Sequence, residues 1–397
     1  MAGGAAKPKL PQVRSKSLAL ADQARDLKAL RDVVVDAAAV SAGLWFSYIF
    51  VLLYLLIAVG GVTHRNLFFE DPVKLPFLNV ELPLVGFFVL GPVLFLIVHA
   101  YVLLHFVLFA GKVGVFHAEL QAQVLDEEVS AQLRWQLPSN IFVQILAGTR
   151  EVRTGSTGRM LRLMAQISLV AGPLALLVLF QIQFLPYHPK PAIALWLRVA
   201  VLFDIALLWM LWPSVARGKL TWIARRDLYR CTAIPAAVIR LIRTLWRQPR
   251  VAPYNKAVWI AWRVLRRVAR RGTVAAAAIA SFVLLLLVFT ISTYPNEWLD
   301  NRLKSVPVLR TVHELLFDGA PDQVTGRPGG WFSNRLVLTD QSFVDFDKID
   351  KVEVSRSFRG RDLRQAVLSR ADLRKADFTG AMLNGVIPFP GQSDLAM

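Results

Sequence analysis

The sequence predicts a mixed membrane protein, an α-helical transmembrane bundle of about five spans followed by a short segment built on a five-residue repeat. Long apolar runs without charge recur along the chain, and 55% of its 397 residues are hydrophobic although the net charge is +18. Near the C-terminus, large apolar residues return at every fifth position. High apolar content combined with positive charge is typical of membrane spans joined by basic loops.

The first 41 residues form a Lys/Pro-rich arm that leads into a predicted amphipathic helix around Leu18–Val40. About forty mostly polar residues precede the first apolar run, which is too many for the charged start of a secretory signal. We therefore interpret the first apolar run as a retained membrane helix.

Five apolar runs reach the length of about 20 residues that a bilayer core requires. The second run carries Pro92. The predicted transmembrane domain covers 42–293, with spans at about 42–62, 82–111, 163–185, 192–212 and 273–293.

The distribution of Lys and Arg predicts the orientation, because cytoplasmic loops carry the excess of these residues. The arm 1–41 has seven basic and four acidic residues, and the loop 213–272 has fifteen basic residues and one acid. We therefore expect the arm and the loops 112–160 and 213–272 to be cytoplasmic. With five crossings the C-terminal tail lies outside, and this side inverts if one span does not cross.

The basic loop 213–272 interleaves arginine with Trp, Leu, Ile and Val at helical spacing, as in "AVWIAWRVLRRVARR". This pattern predicts a basic amphipathic helix on an anionic membrane face. Nucleic-acid binding is the alternative, but the loop is tethered between two spans, so we expect lipid and no nucleic acid. The predicted lipid-facing residues are Arg263, Arg266, Arg267, Arg270 and Arg271.

Two histidines, one arginine and one aspartate fall inside the predicted spans: His99, His105, Arg198 and Asp204. Charges at membrane depth are expensive and mark either a pathway or a pairing surface. We favour interhelical hydrogen bonds that hold the bundle over a proton or ion relay, because the chain lacks the repeated halves common in transporters.

The segment 358–386 repeats every five residues, which matches neither a helix nor a flat strand. A large apolar residue forms the centre of each unit, and alanine stands two positions earlier in the later units. The predicted repeat core is Phe358, Leu363, Leu368, Leu373, Phe378 and Leu383, with Ala366, Ala371, Ala376 and Ala381.

These units, with "ADLRK", "ADFTG" and "AMLNG" in series after "AVLSR", resemble the pentapeptide-repeat family, whose pattern is A(D/N)LXX. The leading units "SFRGR" and "RDLRQ" depart from it, with arginine where alanine is expected. The resemblance implies a right-handed quadrilateral β-helix with the apolar centres and the alanines pointing inward. Six units make only about one and a half turns, so we expect the block to lean on the preceding segment, on a partner or on a second copy.

The membrane half, including "VTHRNLFFEDPVKLPFLNVELP" and "LLVLFQIQFLPYH", resembles bacterial integral membrane proteins that carry C-terminal pentapeptide repeats. Between the two parts, 294–357 is a predicted extracytoplasmic linker with a strand at 343–354. Its acidic residues lack the spacing of a calcium loop, so we interpret them as a solvated face. Residues 387–397 are predicted to be a cap or loose tail.

The sequence carries no catalytic or nucleotide-binding motif that we recognise, so we expect neither an enzyme nor a cofactor nor a metal site. The leading hypothesis is a scaffolding or protein-interaction subunit of a bacterial inner membrane, with the repeats periplasmic. Its partners are anionic lipids and other membrane proteins or further copies of itself. The alternative is a transporter or channel component that uses the intramembrane polar residues.

Overall fold

The computed structural model describes residues 11–75, 80–218, 273–291, 335–338 and 354–386, the last range without 355, 369–372, 374 and 385. The chain divides into two compact units. Unit 1 comprises 1–51, 97–173 and 206–254, and unit 2 comprises 52–96, 174–205 and 255–397.

Helix α1 runs without a break from Pro11 to Gly60, which is 50 residues. Residues 11–41 of the arm and the first predicted span therefore lie in one continuous helix. Between Pro11 and Gly43 the sequence has neither an internal proline nor a glycine that would interrupt the hydrogen-bond ladder.

Among the described residues, four helices are long and apolar enough to cross a membrane. They correspond to the first four predicted spans and cover Asp26–Gly60, Leu84–Gln123, Ser156–Tyr187 and Pro191–Arg217. Helix α3 is Leu84–Gln123 and contains Pro92. The fifth predicted span is a helix at Thr273–Thr290, whose described apolar stretch, Ala276–Phe289, is shorter than the other four.

Four short helices occupy unit 1 between residues 127 and 166, and three of them begin with a capping side chain. Asp126 accepts a hydrogen bond from the Glu128 amide at 2.9 Å, and Asn140 accepts one from the Phe142 amide at 2.9 Å. These caps satisfy backbone donors that a helix leaves free at its start. The helices are α4 (Glu127–Trp135), α5 (Ile141–Ala147), α6 (Arg150–Thr154) and α7 (Ser156–Gln166).

The third candidate span changes geometry where proline enters it. Helix α7 continues through a π-helical turn, Ile167–Ala171, into α8, Gly172–Phe184, and then into a 3₁₀ turn, Leu185–Tyr187. Pro173 has no N–H group for the i→i−4 ladder, and the wider π turn lies directly before it. The fourth candidate span is α9, Pro191–Arg217, and the helix Thr273–Thr290 is α10.

Unit 2 contains the two short links between candidate spans. Helix α2, His64–Phe69, begins with a capping box formed by Thr63 and Asn66 and ends at Glu70 in the left-handed conformation. Strands β1 (Val73–Leu75) and β2 (Val80–Leu82) then form an antiparallel pair. The second link is the 3₁₀ turn, whose Tyr187 ring stacks on Phe184 at 4.7 Å.

The C-terminal part of unit 2 contains two short strands that pair with each other in parallel. Strand β3, Arg356–Ser357, pairs with strand β4, Ala376–Asp377. A bridge between Asp362 and Met382 continues the same register. Each pair joins residues 20 positions apart, which equals four five-residue units. Apart from Val354, the predicted strand at 343–354 lies outside the described residues.

Candidate functional site

Each described five-residue unit makes one tight turn that starts at its apolar centre. The Arg361 amide donates to the Phe358 carbonyl, and the same i→i+3 bond recurs at Leu363, Leu373, Phe378 and Leu383. In four of these turns the third residue has positive φ, namely Gly360 (65°), Gln365 (56°), Lys375 (58°) and Gly380 (70°). Positive φ at that position is the mark of a type II turn, so one turn in each of these described units accounts for the five-residue period.

The apolar centres stack on the centres 20 residues later. The rings of Phe358 and Phe378 lie 5.3 Å apart and are nearly parallel. We call Phe358 and Leu363 the first row, and Phe378 and Leu383 the second row. The first row is buried, together with Ala366 and Leu368, whereas Leu383 is 41% exposed. Among the other predicted core residues, Leu373, Ala376, Phe378 and Ala381 are half-buried, and Ala371 lies outside the described residues.

Aspartate precedes the apolar centre in two described units and binds the backbone of the turn. The Asp377 carboxylate accepts a hydrogen bond from the Thr379 amide at 2.9 Å, and Asp362 accepts one from the Arg364 amide at 3.3 Å. The Thr379 hydrogen bonds lower the pKa of Asp377. The acidic position of the repeat therefore fixes the local turn.

The preceding segment, 335–338, adds a further strand-like row to the repeat. The Val367 amide donates to the Leu336 carbonyl at 2.8 Å, and the Leu338 amide donates to the Val367 carbonyl at 2.8 Å. Leu336 and Leu338 are buried. Of the three supports that the sequence left open, the preceding segment is therefore one that the repeat uses.

A second support is the end of helix α2, which Arg361 caps. Its guanidinium donates to the Phe68 carbonyl at 2.9 Å and to the Leu67 carbonyl at 3.1 Å. These are last-turn carbonyls that have no partner within the helix, and a cation is favourable at a helix C-terminus. The same side chain lies 3.2 Å from Glu70 and 4.9 Å from the ring of Tyr187.

Aromatic contacts surround this cap. The ring of Phe68, which is completely buried, lies 4.3 Å from the ring of Phe358. The Arg356 guanidinium lies 5.0 Å from the ring centre of Phe69. The first row is thus covered by α2, and we call the set Arg356, Phe358, Arg361, Phe68 and Glu70 the docking site.

The second link joins the docking site through a buried histidine. His188 Nδ1 lies 2.9 Å from the Asp362 carbonyl oxygen, to which it donates, and 3.4 Å from the Asp362 carboxylate. Arg364 binds the same carboxylate at 2.9 and 2.6 Å. Burial works against ionisation of Asp362, but the hydrogen bonds from His188 and Arg364 hold the pKa of its carboxyl well below the usual range.

A histidine of α2 also holds the segment 335–338. The Val337 amide donates to His64 Nδ1 at 3.1 Å, so this nitrogen carries no proton. Burial lowers the pKa of His64. Protonation of the ring would remove the acceptor, so this contact depends on pH.

Sequence reasoning missed the docking site, although two of its residues were noticed as exceptions. Arg356 and Arg361 stand where the repeat pattern expects alanine. At that position alanine faces the crowded interior, whereas these two arginines reach α2. The departure from the repeat was the available signal, but nothing in the sequence identified α2 as the partner.

The two histidines predicted to lie within spans, both in α3 and unit 1, bind groups on other helices. His99 is completely buried, and its Nε2 lies 3.2 Å from the Leu169 carbonyl. Pro173 cannot donate to that carbonyl four residues earlier, so His99 satisfies an oxygen that the proline leaves free. His105 Nε2 lies 3.1 Å from the Ser41 hydroxyl, which itself donates to the Ala37 carbonyl at 2.7 Å.

The polar residues of unit 2 that fall within candidate spans lie on α8 and α9. Arg198 donates to the Ile291 carbonyl at 2.8 Å, and Gln181 donates to the Val288 carbonyl at 2.9 Å. Both carbonyls belong to the C-terminal end of α10, so Arg198 and Gln181 cap that end. Asp204 is completely buried in α9. The predicted lipid-facing residues Arg263, Arg266, Arg267, Arg270 and Arg271 lie outside the described residues.

The repeat segment matches a known family. The sequence model of the family described as pentapeptide repeats (8 copies) matches residues 357–387. No curated protein and no solved structure matches the chain. The chain therefore contains pentapeptide repeats, next to four helices that are long and apolar enough to span a membrane.

Proposed function

We propose that this protein is a membrane-anchored scaffolding or protein-interaction subunit, in which the helical bundle holds a pentapeptide-repeat block at the membrane surface. The observation that carries the proposal is the unequal burial of the two rows. The first row is covered by α2, whereas in the second row Leu383 is 41% exposed, with Met382 beside it 53% exposed. Apolar surface of this kind in the described part of a repeat is suited to contact with another protein.

The repeat block is proposed to be a right-handed quadrilateral β-helix. Parallel pairing at an offset of 20 residues supports four five-residue sides for each turn of the chain. A solenoid that short cannot bury its core alone, and the docking site supplies the missing cover at one end.

We propose that the repeats lie outside the cytoplasm of a bacterial inner membrane. They contact the two short links, 61–83 and 185–190, through Arg361 and His188. The charge distribution predicts that both links face outward, because the large basic loop 213–272 is expected to face the cytoplasm. The loop is proposed to bind anionic lipid on that face.

The proposal includes neither catalysis nor transport. His99, His105 and Arg198 each contact a carbonyl or hydroxyl group of another helix, which favours a role in holding the helices together. A transport role would require Asp204→Asn to abolish an ion flux in liposomes, whereas a structural role predicts only weaker assembly.

The test is to extract the protein from its native membrane in a neutral detergent and to measure the mass of what is purified with it. We expect a stoichiometric partner or a defined homo-oligomer. The doubly substituted variant Met382→Asp/Leu383→Asp places charge on the second row and should abolish that association.

The matched control is Leu125→Asp, an exposed apolar residue of unit 1 that lies outside the candidate spans, which should leave the association intact. A monomer without partners, or an association that survives Met382→Asp/Leu383→Asp unchanged, would contradict the proposal.

A further inference from the structure

Three basic side chains meet at one point of unit 1, outside every site described above. They are His117 near the end of α3, Arg134 in α4 and Arg153 in α6. Arg134 Nη1 lies 2.8 Å from His117 Nδ1, and Arg153 Nη1 lies 3.1 Å from His117 Nε2.

The imidazole cannot satisfy both arginines. A neutral imidazole has one acceptor nitrogen and one N–H group, and a guanidinium has donors only. One of the two contacts is therefore a hydrogen bond, and the other sets an N–H group against an N–H group. An acceptor oxygen that contacts both of these N–H groups from the side would satisfy both donors.

The positive charge of the cluster has no acidic partner within ion-pair distance among the described residues. Arg134 is 8% exposed, and its other acceptors are all neutral: the Ser130 hydroxyl and the carbonyls of Ala147 and Gly148. Of the acids on the same helices, Glu127 pairs with Arg150 and Glu119 accepts a hydrogen bond from Gln123. A buried cation without a counter-charge is costly.

Helix capping explains only part of the arrangement. Arg134 donates to the Ala147 carbonyl at 2.7 Å, which is the last residue of α5, and this accounts for its burial. It does not account for Arg153, whose one described side-chain partner is the other ring nitrogen of His117, Nε2. Burial and the charge of Arg153 both lower the pKa of Arg134, although an arginine remains charged at neutral pH.

We propose that His117, Arg134 and Arg153 form a binding site for a phosphate group, with Arg153 and the imidazole N–H as the principal donors. Arginine is well suited to phosphate because its parallel N–H groups match two oxygens. The phosphate oxygens would supply both the missing acceptor and the missing negative charge.

The position along α3 is compatible with a lipid as the source of the phosphate. His117 lies six residues beyond Gly111, the end of the predicted span, which is roughly 9 Å along a helix. The headgroup layer on each side of a bilayer is about 5–8 Å thick, and helix tilt shortens the distance. This step rests on the proposed membrane insertion, whereas the phosphate chemistry does not.

The test uses the full-length protein in dodecyl maltoside and measures the midpoint of thermal unfolding as ligand is added. Inorganic phosphate is compared with sodium chloride at equal ionic strength, and short-chain phosphatidylglycerol is compared with phosphatidylcholine. A ligand that binds only the folded state raises the midpoint with concentration. A response to inorganic phosphate identifies a soluble phosphate compound as the natural class, and a response to phosphatidylglycerol alone identifies a lipid headgroup.

The decisive variant is Arg153→Gln, because the Arg153 side chain bonds no backbone group in the described structure and its loss should leave folding intact. The affinity for the responding probe should fall about tenfold to a hundredfold, the effect of one charge-assisted contact. The matched control is Arg159→Gln, which removes the same charge from an exposed position of α7 and should bind normally.

No response to either probe, or an equal response of the wild type and Arg153→Gln, would overturn the proposal. Neither readout depends on a membrane or a protein partner, so this inference and the proposed scaffold function can fail separately.

Discussion

Phe358 and Leu363 in the first row of the repeat are 4% and 1% exposed, whereas Leu383 in the second row is 41% exposed. The two rows carry apolar residues at the same positions of the repeat, 20 residues apart, and differ in what lies against them. Helix α2, the segment 335–338 and His188 contact the units of the first row. The comparison indicates that burial in this repeat is decided by its neighbours and not by the repeat pattern.

Phe68→Ala should produce the largest effect, because it removes the ring that covers Phe358. Loss of a buried phenylalanine side chain costs about 3–5 kcal/mol. We expect this loss in the free energy of opening of the repeats, measured by hydrogen exchange at the Leu363 amide. Phe68→Leu keeps most of the volume and should cost clearly less. Equal exchange in the wild type and Phe68→Ala would show that α2 does not cover the repeat.

The same substitution, leucine to alanine, is made once in each row: Leu363→Ala in the first row and Leu383→Ala in the second. Truncating the buried Leu363 should lower the stability of the repeat by about 2–5 kcal/mol. Truncating the exposed Leu383 should lower it by less than about 1 kcal/mol. The measurement is the rate of proteolysis of the repeat segment in each variant. Similar rates in the two variants would mean that the rows are equally covered.

Gly360→Ala and Gly380→Ala should have equal effects in the two rows. Both glycines have positive φ, and a methyl group at either position would meet nothing closer than 4.0 Å. The cost is therefore that of a left-handed backbone alone, about 1–2 kcal/mol, whatever covers the row. Hydrogen exchange at the amides of the repeat measures the loss of stability in both variants. A cost found at one glycine only would contradict the shared turn geometry.

Acid should loosen the segment 335–338 before it affects the repeat turns. His64 accepts the Val337 amide, and burial lowers the pKa of His64. The contact is therefore fully stable above pH 6.5 and loses stability as the pH falls from there toward the lowered pKa. We expect a loss of about 1 kcal/mol when the ring is protonated, measured as faster exchange at the Val337 amide. His64→Asn, which accepts without titrating, should remove this pH dependence, and its persistence would assign the effect to another group.

Hydropathy and the five-residue period were enough to predict much of the fold. Four of the predicted spans correspond to helices of sufficient length, because about 20 apolar residues in series have few alternatives to a helix. Of the inward positions that the period predicts, Phe358, Leu363, Ala366 and Leu368 are buried, whereas Leu383 is exposed.

The docking site could not be predicted in the same way, because its partners are far apart in the chain. Arg361 binds the carbonyls of Leu67 and Phe68, almost 300 residues earlier. Every residue has a backbone carbonyl, so the sequence does not indicate which ones Arg361 binds. Arginine in place of alanine at 356 and 361 marks the two units that dock, but the pattern alone does not distinguish a contact from a decayed repeat.

The most direct test of the docking account is hydrogen exchange at the Phe358, Leu363 and Val367 amides in Arg361→Ala and Arg359→Ala. Both arginines lie in the same turn and both form an ion pair, but Arg359 is exposed and binds only within the repeat, to Asp377. Loss of the charged bonds from Arg361 to α2 should cost about 3 kcal/mol and raise exchange roughly a hundredfold, whereas Arg359→Ala should change it less than about fivefold. Equal protection in the two variants would contradict the claim that the helical part of the chain holds the repeat.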